Sequence, residues 1–87
     1  MPVHPSGTGR LSIDGLSAEQ AVVLQAVNTA FDRTNGVATY ERIDHALVMK
    51  GERQLRPRLP EHLALLEARG RVRCLDSVGQ RWALAGV

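Results

Sequence analysis

Arginine is the residue type with the most chemical potential in this sequence, and it is concentrated in the second half. The arginines of that half are Arg53, Arg56, Arg58, Arg69, Arg71, Arg73 and Arg81. A guanidinium group stays charged at physiological pH, and its planar fork can bind phosphate oxygens or guanine edges in pairs. This set of cations indicates binding of a polyanion, and the alternative is an ordinary solvated surface.

The formal net charge of +2 conceals an uneven distribution of charge along the chain. Residues 1–49 carry three basic and five acidic side chains, a balance of −2, whereas residues 50–87 carry eight basic and four acidic ones, a balance of +4. A basic half on a nearly neutral chain favours a polyanionic partner for one face of the protein.

Histidine, cysteine and serine do not form a recognisable catalytic or metal-binding pattern. The histidines are His4, His45 and His62. His45 follows Glu41 by four residues on one helix face, but two ligands do not make a metal site. The single cysteine, Cys74, excludes an internal disulfide and suits a reducing compartment. We therefore expect a protein that is not an enzyme and that needs no cofactor.

The length and composition predict one small domain with an aliphatic core. Only three of the 87 residues are aromatic, so the core must be built from leucine, valine, isoleucine and alanine. Residues 1–16 are rich in proline and glycine and predict a flexible N-terminal arm, followed by a folded domain over residues 17–87. Such a domain has little stability to spare, so we also consider a homodimer.

No apolar run approaches the roughly 20 residues that a membrane span requires. The first five residues lack the basic and apolar regions of a signal peptide. These features predict a cytoplasmic protein that has no membrane partner.

Helical spacing and capping signals predict three helices that position the arginines. Ser17, with Gln20 three residues later, forms a capping box at the start of the first helix, and Asn35-Gly36 is expected to end it. Thr39 is expected to cap the second helix, which ends at residues 49–51.

The prolines restrict where the third helix can begin. Proline is tolerated in the first helical turn, whose N–H groups have no partner within the helix. Pro57 and Pro60 therefore predict a start at residues 57–60, with the end at Arg69 and a long turn over residues 51–56. Helical spacing then turns Leu59, Leu63 and Leu66 inward and leaves Glu61, Ala64 and Leu65 outward.

Strand signals follow the third helix directly. Gly70 is expected to close the helix, and alternation over residues 72–75 turns Val72 and Cys74 inward and Arg71 and Arg73 outward. Residues 76–80 predict a hairpin loop, and residues 81–84 a return strand with Trp82 and Leu84 inward. Residues 37–38 can add a one-bridge strand.

The chain resembles the winged helix-turn-helix superfamily over about residues 17–85. Three stretches carry the resemblance: residues 40–47 in the second helix, residues 63–73 from the third helix into the hairpin, and the return strand Arg81-Trp82-Ala83-Leu84. The resemblance implies a small α+β fold of three helices with a two- or three-stranded antiparallel β-wing. It also implies double-stranded DNA as the partner, so we expect a small transcription regulator or a phage- or plasmid-type DNA-binding factor.

In that superfamily the third helix usually enters the major groove, and the wing touches the backbone or the minor groove. The resemblance therefore implies two groups of contact residues. The helix-side candidates are Arg53, Gln54, Arg56, Arg58 and His62, and the wing-side candidates are Gln80 and Arg81, with Arg71 and Arg73 reaching phosphates. The alternative is a protein–protein interaction module in a larger assembly, which would dock through the outward Leu65 face of the third helix.

Overall fold

Three α-helices and three short strands make up the computed structural model, which describes residues 15–85. Helix α1 (Ala18–Ala30) is followed by β1 (Ala38–Thr39), α2 (Tyr40–Met49), a 3-10 helix (Arg53–Arg58), α3 (Leu59–Ala68), β2 (Val72–Cys74) and β3 (Arg81–Leu84). The predicted α+β class with three helices and an antiparallel sheet is confirmed. Residues 1–14 of the predicted arm lie outside the described residues. Within residues 15–85, no helix is long and apolar enough to cross a membrane.

Side-chain caps start α1 and α2 where the sequence predicts them. The hydroxyl of Ser17 accepts a hydrogen bond from the Gln20 N–H at 3.1 Å, and the Gln20 side-chain oxygen accepts from the Ser17 N–H at 3.0 Å. The Thr39 hydroxyl accepts from the Arg42 N–H at 3.3 Å. Each cap gives a partner to an N–H group that the helix itself cannot satisfy.

The end of α1 is different from the prediction. The helix ends at Ala30 rather than at Asn35-Gly36. Asp32 forms a bridge with Val37, and its carboxylate accepts hydrogen bonds from the backbone N–H groups of Thr34 and Asn35 at 2.9 and 3.4 Å. An aspartate side chain that takes up nearby N–H groups competes with the helix for them. The positive φ of Gly36, 72°, serves this turn and not a helix cap.

The predicted start of α3 is confirmed. The 3-10 helix contains Pro57, and Pro60 lies in the first turn of α3, which begins at Leu59. Gly70 follows α3 with a φ of 74°, a left-handed conformation that glycine adopts without a steric cost. The predicted third helix is therefore correct to within one residue at its C-terminal end.

The sheet is antiparallel with the strand order β1-β3-β2. The one-bridge strand predicted at residues 37–38 is found one residue later, where Ala38 pairs with Trp82. Val72 pairs with Leu84 and Cys74 with Trp82, so these side chains share the face that packs on the helices. Trp82 is buried, and its indole N–H donates to the carbonyl of Gly79 at 2.9 Å.

The core is aliphatic, as the composition predicts. Its largest fully buried side chains are Leu24, Ile43, Leu47, Leu59, Leu63, Leu66, Val23, Val27 and Val72. The predicted inward face of α3 is confirmed by three of these leucines. The opposite face, with Glu61, Ala64 and Leu65, is exposed, and this fixes which side chains α3 can offer to a partner.

Candidate nucleic-acid interface

The outer face of the sheet carries two exposed arginines. Arg73 on β2 pairs with Ala83 on β3, and Arg81 precedes Ala83 by two residues, so both arginine side chains leave the same face. Diagonal neighbours of this kind lie about 7–8 Å apart. Within residues 15–85 neither guanidinium group forms an ion pair or a hydrogen bond. The two positive charges are therefore available to a ligand on this face.

Arg71 behaves differently from Arg73, although the strand alternation gives both the same direction. Arg71 is only partly exposed, and its Nε atom is buried. Arg71 is therefore less open to a ligand than Arg73. Its backbone N–H donates to the carbonyl of Leu66 in α3 at 2.9 Å, where the chain enters β2.

The 3-10 helix holds Arg53, Gln54, Arg56 and Arg58 on the surface. Arg56 is bound to α2, because its Nε donates to the Asp44 carboxylate at 2.8 Å. This hydrogen bond raises the pKa of Arg56 above its usual value. The contact joins the 3-10 helix to α2 and partly neutralises one of the predicted contact residues.

The other polar side chains of the 3-10 helix are less tightly held. Gln54 donates to the Glu52 carboxylate at 2.6 Å. The Nε of Arg58 lies 3.7 Å from the Glu61 carboxylate, beyond hydrogen-bond range, and Arg53 has no ion pair with any described residue. Arg53 is therefore open to an anion, and Arg58 is held only by a solvent-exposed ion pair with Glu61 that an anion can replace.

His62 is a correction to the predicted site. Only 7% of the residue is exposed, and its Nε2 atom lies 3.9 Å from the Glu19 carboxylate of α1. Neither ring nitrogen has a hydrogen-bond partner among the described residues. His62 follows Leu59 by three residues and precedes Leu66 by four, so it extends the inward face of α3 and is covered by α1. In this position little of the side chain is open to a ligand.

Tyr40 joins the start of α2 to the hairpin loop, a role that the sequence did not reveal. Its backbone N–H donates to the Gln80 carbonyl at 2.7 Å, and the preceding residue, Thr39, pairs with Arg81. Burial of the ring and the charge of Asp44 raise the pKa of Tyr40, while the charge of Arg56 acts in the opposite direction. The spacing of Tyr40 and Asp44, four residues apart on α2, was the available signal.

The hairpin loop is held by one carboxylate. The side chain of Asp76 accepts a hydrogen bond from the Gln80 N–H at 3.0 Å. Burial acts to raise the pKa of Asp76, but hydrogen bonds from the backbone N–H groups of residues 78–81 outweigh it and lower the pKa. Asp76 therefore orders the loop that presents Gln80 and Arg81, and it takes up the N–H groups that a phosphate would otherwise use.

The structure thus gathers Gln80 and Arg81, Tyr40, and the Arg56–Asp44 pair along one side of the domain. No cluster of three or more histidine, cysteine, aspartate or glutamate side chains suited to a metal ion occurs in residues 15–85. No protein-family model matches this chain. The comparisons with curated proteins and with solved structures give no match either. Only the geometry of the described residues therefore bears on function.

Proposed function

We propose that this protein is a small DNA-binding protein of the winged-helix type, with the β2–β3 hairpin as its wing. The element order and the strand order β1-β3-β2 support this proposal. The observation that carries it is the outer face of the sheet, where Arg73 and Arg81 are exposed and lack an anionic partner among the described residues.

The mechanism is recognition of the phosphate backbone with little reading of bases. Arginines position a protein on a duplex by binding phosphate oxygens, and sequence is read by side chains that reach base edges. The exposed face of α3 carries Glu61, Ala64 and Leu65, which offer no cation and no paired hydrogen-bond donors to guanine. The wing and the start of α3 therefore provide the contacts, and discrimination between sequences should be small.

The test is fluorescence anisotropy with a random-sequence duplex at several salt concentrations. Four arginines are exposed without a hydrogen-bonded carboxylate among the described residues: Arg53, Arg58, Arg73 and Arg81. Each phosphate contact contributes about −0.9 to the slope of log affinity against log salt, so we expect a slope no steeper than about −3.6. Replacement of Arg73 or Arg81 by alanine should make the slope shallower by about 1.

Arg33→Ala is the matched control, because Arg33 lies in the turn after α1 and stacks over Phe31, with its guanidinium carbon 5.9 Å from the ring centre. This substitution removes one positive charge, as Arg81→Ala does, but from an exposed arginine outside the proposed interface. Equal losses of affinity in Arg33→Ala and Arg81→Ala would mean that only net charge matters. Absence of binding at low salt would reject the DNA proposal.

The second candidate function is protein docking through α3. Leu65 is 47% exposed, and Ala64 and Ala68 beside it are exposed as well. Leu65→Glu separates the two functions, because it should abolish a protein contact at this face while changing backbone-driven DNA binding only slightly. Docking would be favoured if the protein did not bind DNA and if a partner protein that it captures were lost in Leu65→Glu.

A further inference from the structure

The dipeptide Asn35-Gly36 combines two groups that can react with each other. Asn35 is exposed in the turn between α1 and β1, and its side-chain amide carbon is an electrophile. The backbone nitrogen of the next residue is the nucleophile, and at Gly36 no Cβ atom obstructs its approach. Asparagine is among the thermally labile residue types. This turn therefore holds a chemically reactive pair that has no role in the proposed DNA contact.

The reaction open to this pair is spontaneous deamidation through a succinimide. The backbone nitrogen of Gly36 loses its proton to a base in the solvent and forms a bond to the side-chain amide carbon of Asn35. The bond from that carbon to Nδ2 breaks, and ammonia leaves. Water then adds to one of the ring carbonyl groups and opens the ring, so that residue 35 becomes aspartate or isoaspartate. Water is the only co-reactant, and nothing is oxidised or reduced.

Asp32 holds both reacting groups in the folded protein. Its backbone carbonyl accepts a hydrogen bond from the Gly36 N–H at 2.6 Å, and its carboxylate accepts one from the Asn35 side-chain amide at 2.8 Å. The same carboxylate accepts hydrogen bonds from the backbone N–H groups of Thr34 and Asn35. Backbone hydrogen bonds between Asp32 and Val37, at 2.8 and 3.3 Å, close the turn around these contacts.

We propose that Asn35 is a deamidation site that the folded turn suppresses and that unfolding makes reactive. Ring closure requires the reacting atoms to meet in an aligned geometry. To reach that geometry, the Gly36 N–H must leave the Asp32 carbonyl, and the Asn35 side chain must rotate away from the Asp32 carboxylate. Because two hydrogen bonds of ordinary net strength are lost, the folded turn should slow the reaction at least about tenfold.

The product of the reaction weakens the turn in which it forms. A carboxylate at residue 35 faces the Asp32 carboxylate at the place where the Asn35 amide donates its hydrogen bond, and isoaspartate also lengthens the backbone. The turn leads directly into β1, where Ala38 pairs with Trp82 of β3. Deamidation therefore converts a transient opening of the turn into a lasting loss of stability. Asn35→Asp reproduces the new charge and should lower the Tm, and an unchanged Tm would contradict this consequence.

The first experiment follows the full chain during incubation at mildly alkaline pH. Peptide mapping by mass spectrometry measures the aspartate and isoaspartate formed at residue 35, in the folded protein and in urea. We expect the folded protein to react at least about tenfold more slowly. Asn28 is the internal control, because the branched Cβ atom of Thr29 hinders ring closure and keeps the reaction slow in both states. Equal rates at Asn35 in the two states would overturn the proposal.

The second experiment separates the turn from the stability of the whole domain. Asp32→Ala removes the carboxylate that holds the Asn35 amide, and we expect this variant to deamidate at least about threefold faster than the unaltered chain. Asp76→Ala is the matched control, because it removes a carboxylate that holds the hairpin loop instead, and its rate at Asn35 should be unchanged. Circular dichroism checks that both variants are folded.

An unchanged rate in Asp32→Ala, or an equal increase in both variants, would overturn the protective role of Asp32. The comparison of the folded and urea-unfolded chain still tests the proposal if Asp32→Ala does not fold. Neither experiment contains DNA, so its failure would say nothing against the proposed DNA binding.

Discussion

Replacement of His62 by leucine should stabilise the protein. The imidazole is buried between α1 and α3, neither ring nitrogen has a hydrogen-bond partner among the described residues, and the Glu19 carboxylate, 3.9 Å away, is too far for a hydrogen bond. A buried polar group without a partner costs about 1–3 kcal/mol, and leucine avoids this cost at a similar volume. A gain of about 1 kcal/mol corresponds to a rise in Tm of roughly 4–8 °C for a domain of this size.

Thermal and urea unfolding followed by circular dichroism measure this gain. His62→Gln is the control, because an amide at the same position would keep polar atoms in the same apolar surroundings and should not raise the Tm. DNA affinity should be unchanged in His62→Leu, since the side chain does not reach the surface. A drop in Tm in His62→Leu would show that the imidazole makes a stabilising contact. A loss of DNA affinity in a folded His62→Leu protein would restore His62 as a contact residue.

Two further substitutions test the turns that flank the sheet. Gly70→Ala should destabilise the domain by about 1–2 kcal/mol, because the φ of 74° at Gly70 is strained for any residue that has a Cβ atom. A fall in the midpoint of urea unfolding would measure this loss of stability. An unchanged midpoint would mean that the backbone adopts another conformation at no cost. Asp76→Ala should lower the Tm at neutral pH. Since the folded pKa of Asp76 lies below its usual 3.8, the stability from its ionised form is complete above that pH and is lost as the pH falls through the folded pKa. The Tm difference between the two proteins should therefore shrink in acid, and a constant difference down to pH 2 would contradict this assignment.

Local signals in the sequence were sufficient to predict most of the secondary structure. The Ser17–Gln20 capping box, the Thr39 cap and the two prolines near α3 each act within a few residues, so the physics that places them is visible in the sequence. The same holds for the alternation that turns Val72 and Trp82 inward. Where a competing local interaction existed, the prediction failed. The Asp32 carboxylate ends α1 early, because it accepts hydrogen bonds from the backbone N–H groups of Thr34 and Asn35. Gly36 lies in this turn, but its position in the sequence is equally typical of a helix cap.

Whether each predicted contact residue is accessible depends on tertiary packing, which the sequence patterns do not show. Helical spacing put His62 on the flank of α3, but only the position of α1 shows that this flank is covered. Strand alternation gave Arg71 and Arg73 the same direction, but Arg71 is partly buried whereas Arg73 is exposed. For His62 it was α1, an element distant in sequence, that determined whether the side chain could reach a ligand.

The packing also determines which arginines already have a partner within the domain, a difference that the composition does not show. Eight basic and four acidic side chains give the second half of the chain its charge, but several of those cations already have structural partners. Arg56 holds the 3-10 helix against α2 through Asp44, and Arg69 donates to the carbonyl of Gly15 at 2.9 Å ahead of α1. Cations that bind within the domain gain less from a phosphate, because they must first give up a neutral or anionic acceptor. The proposed interface therefore rests on Arg73 and Arg81, which have no ion pair among the described residues, more than on the number of arginines.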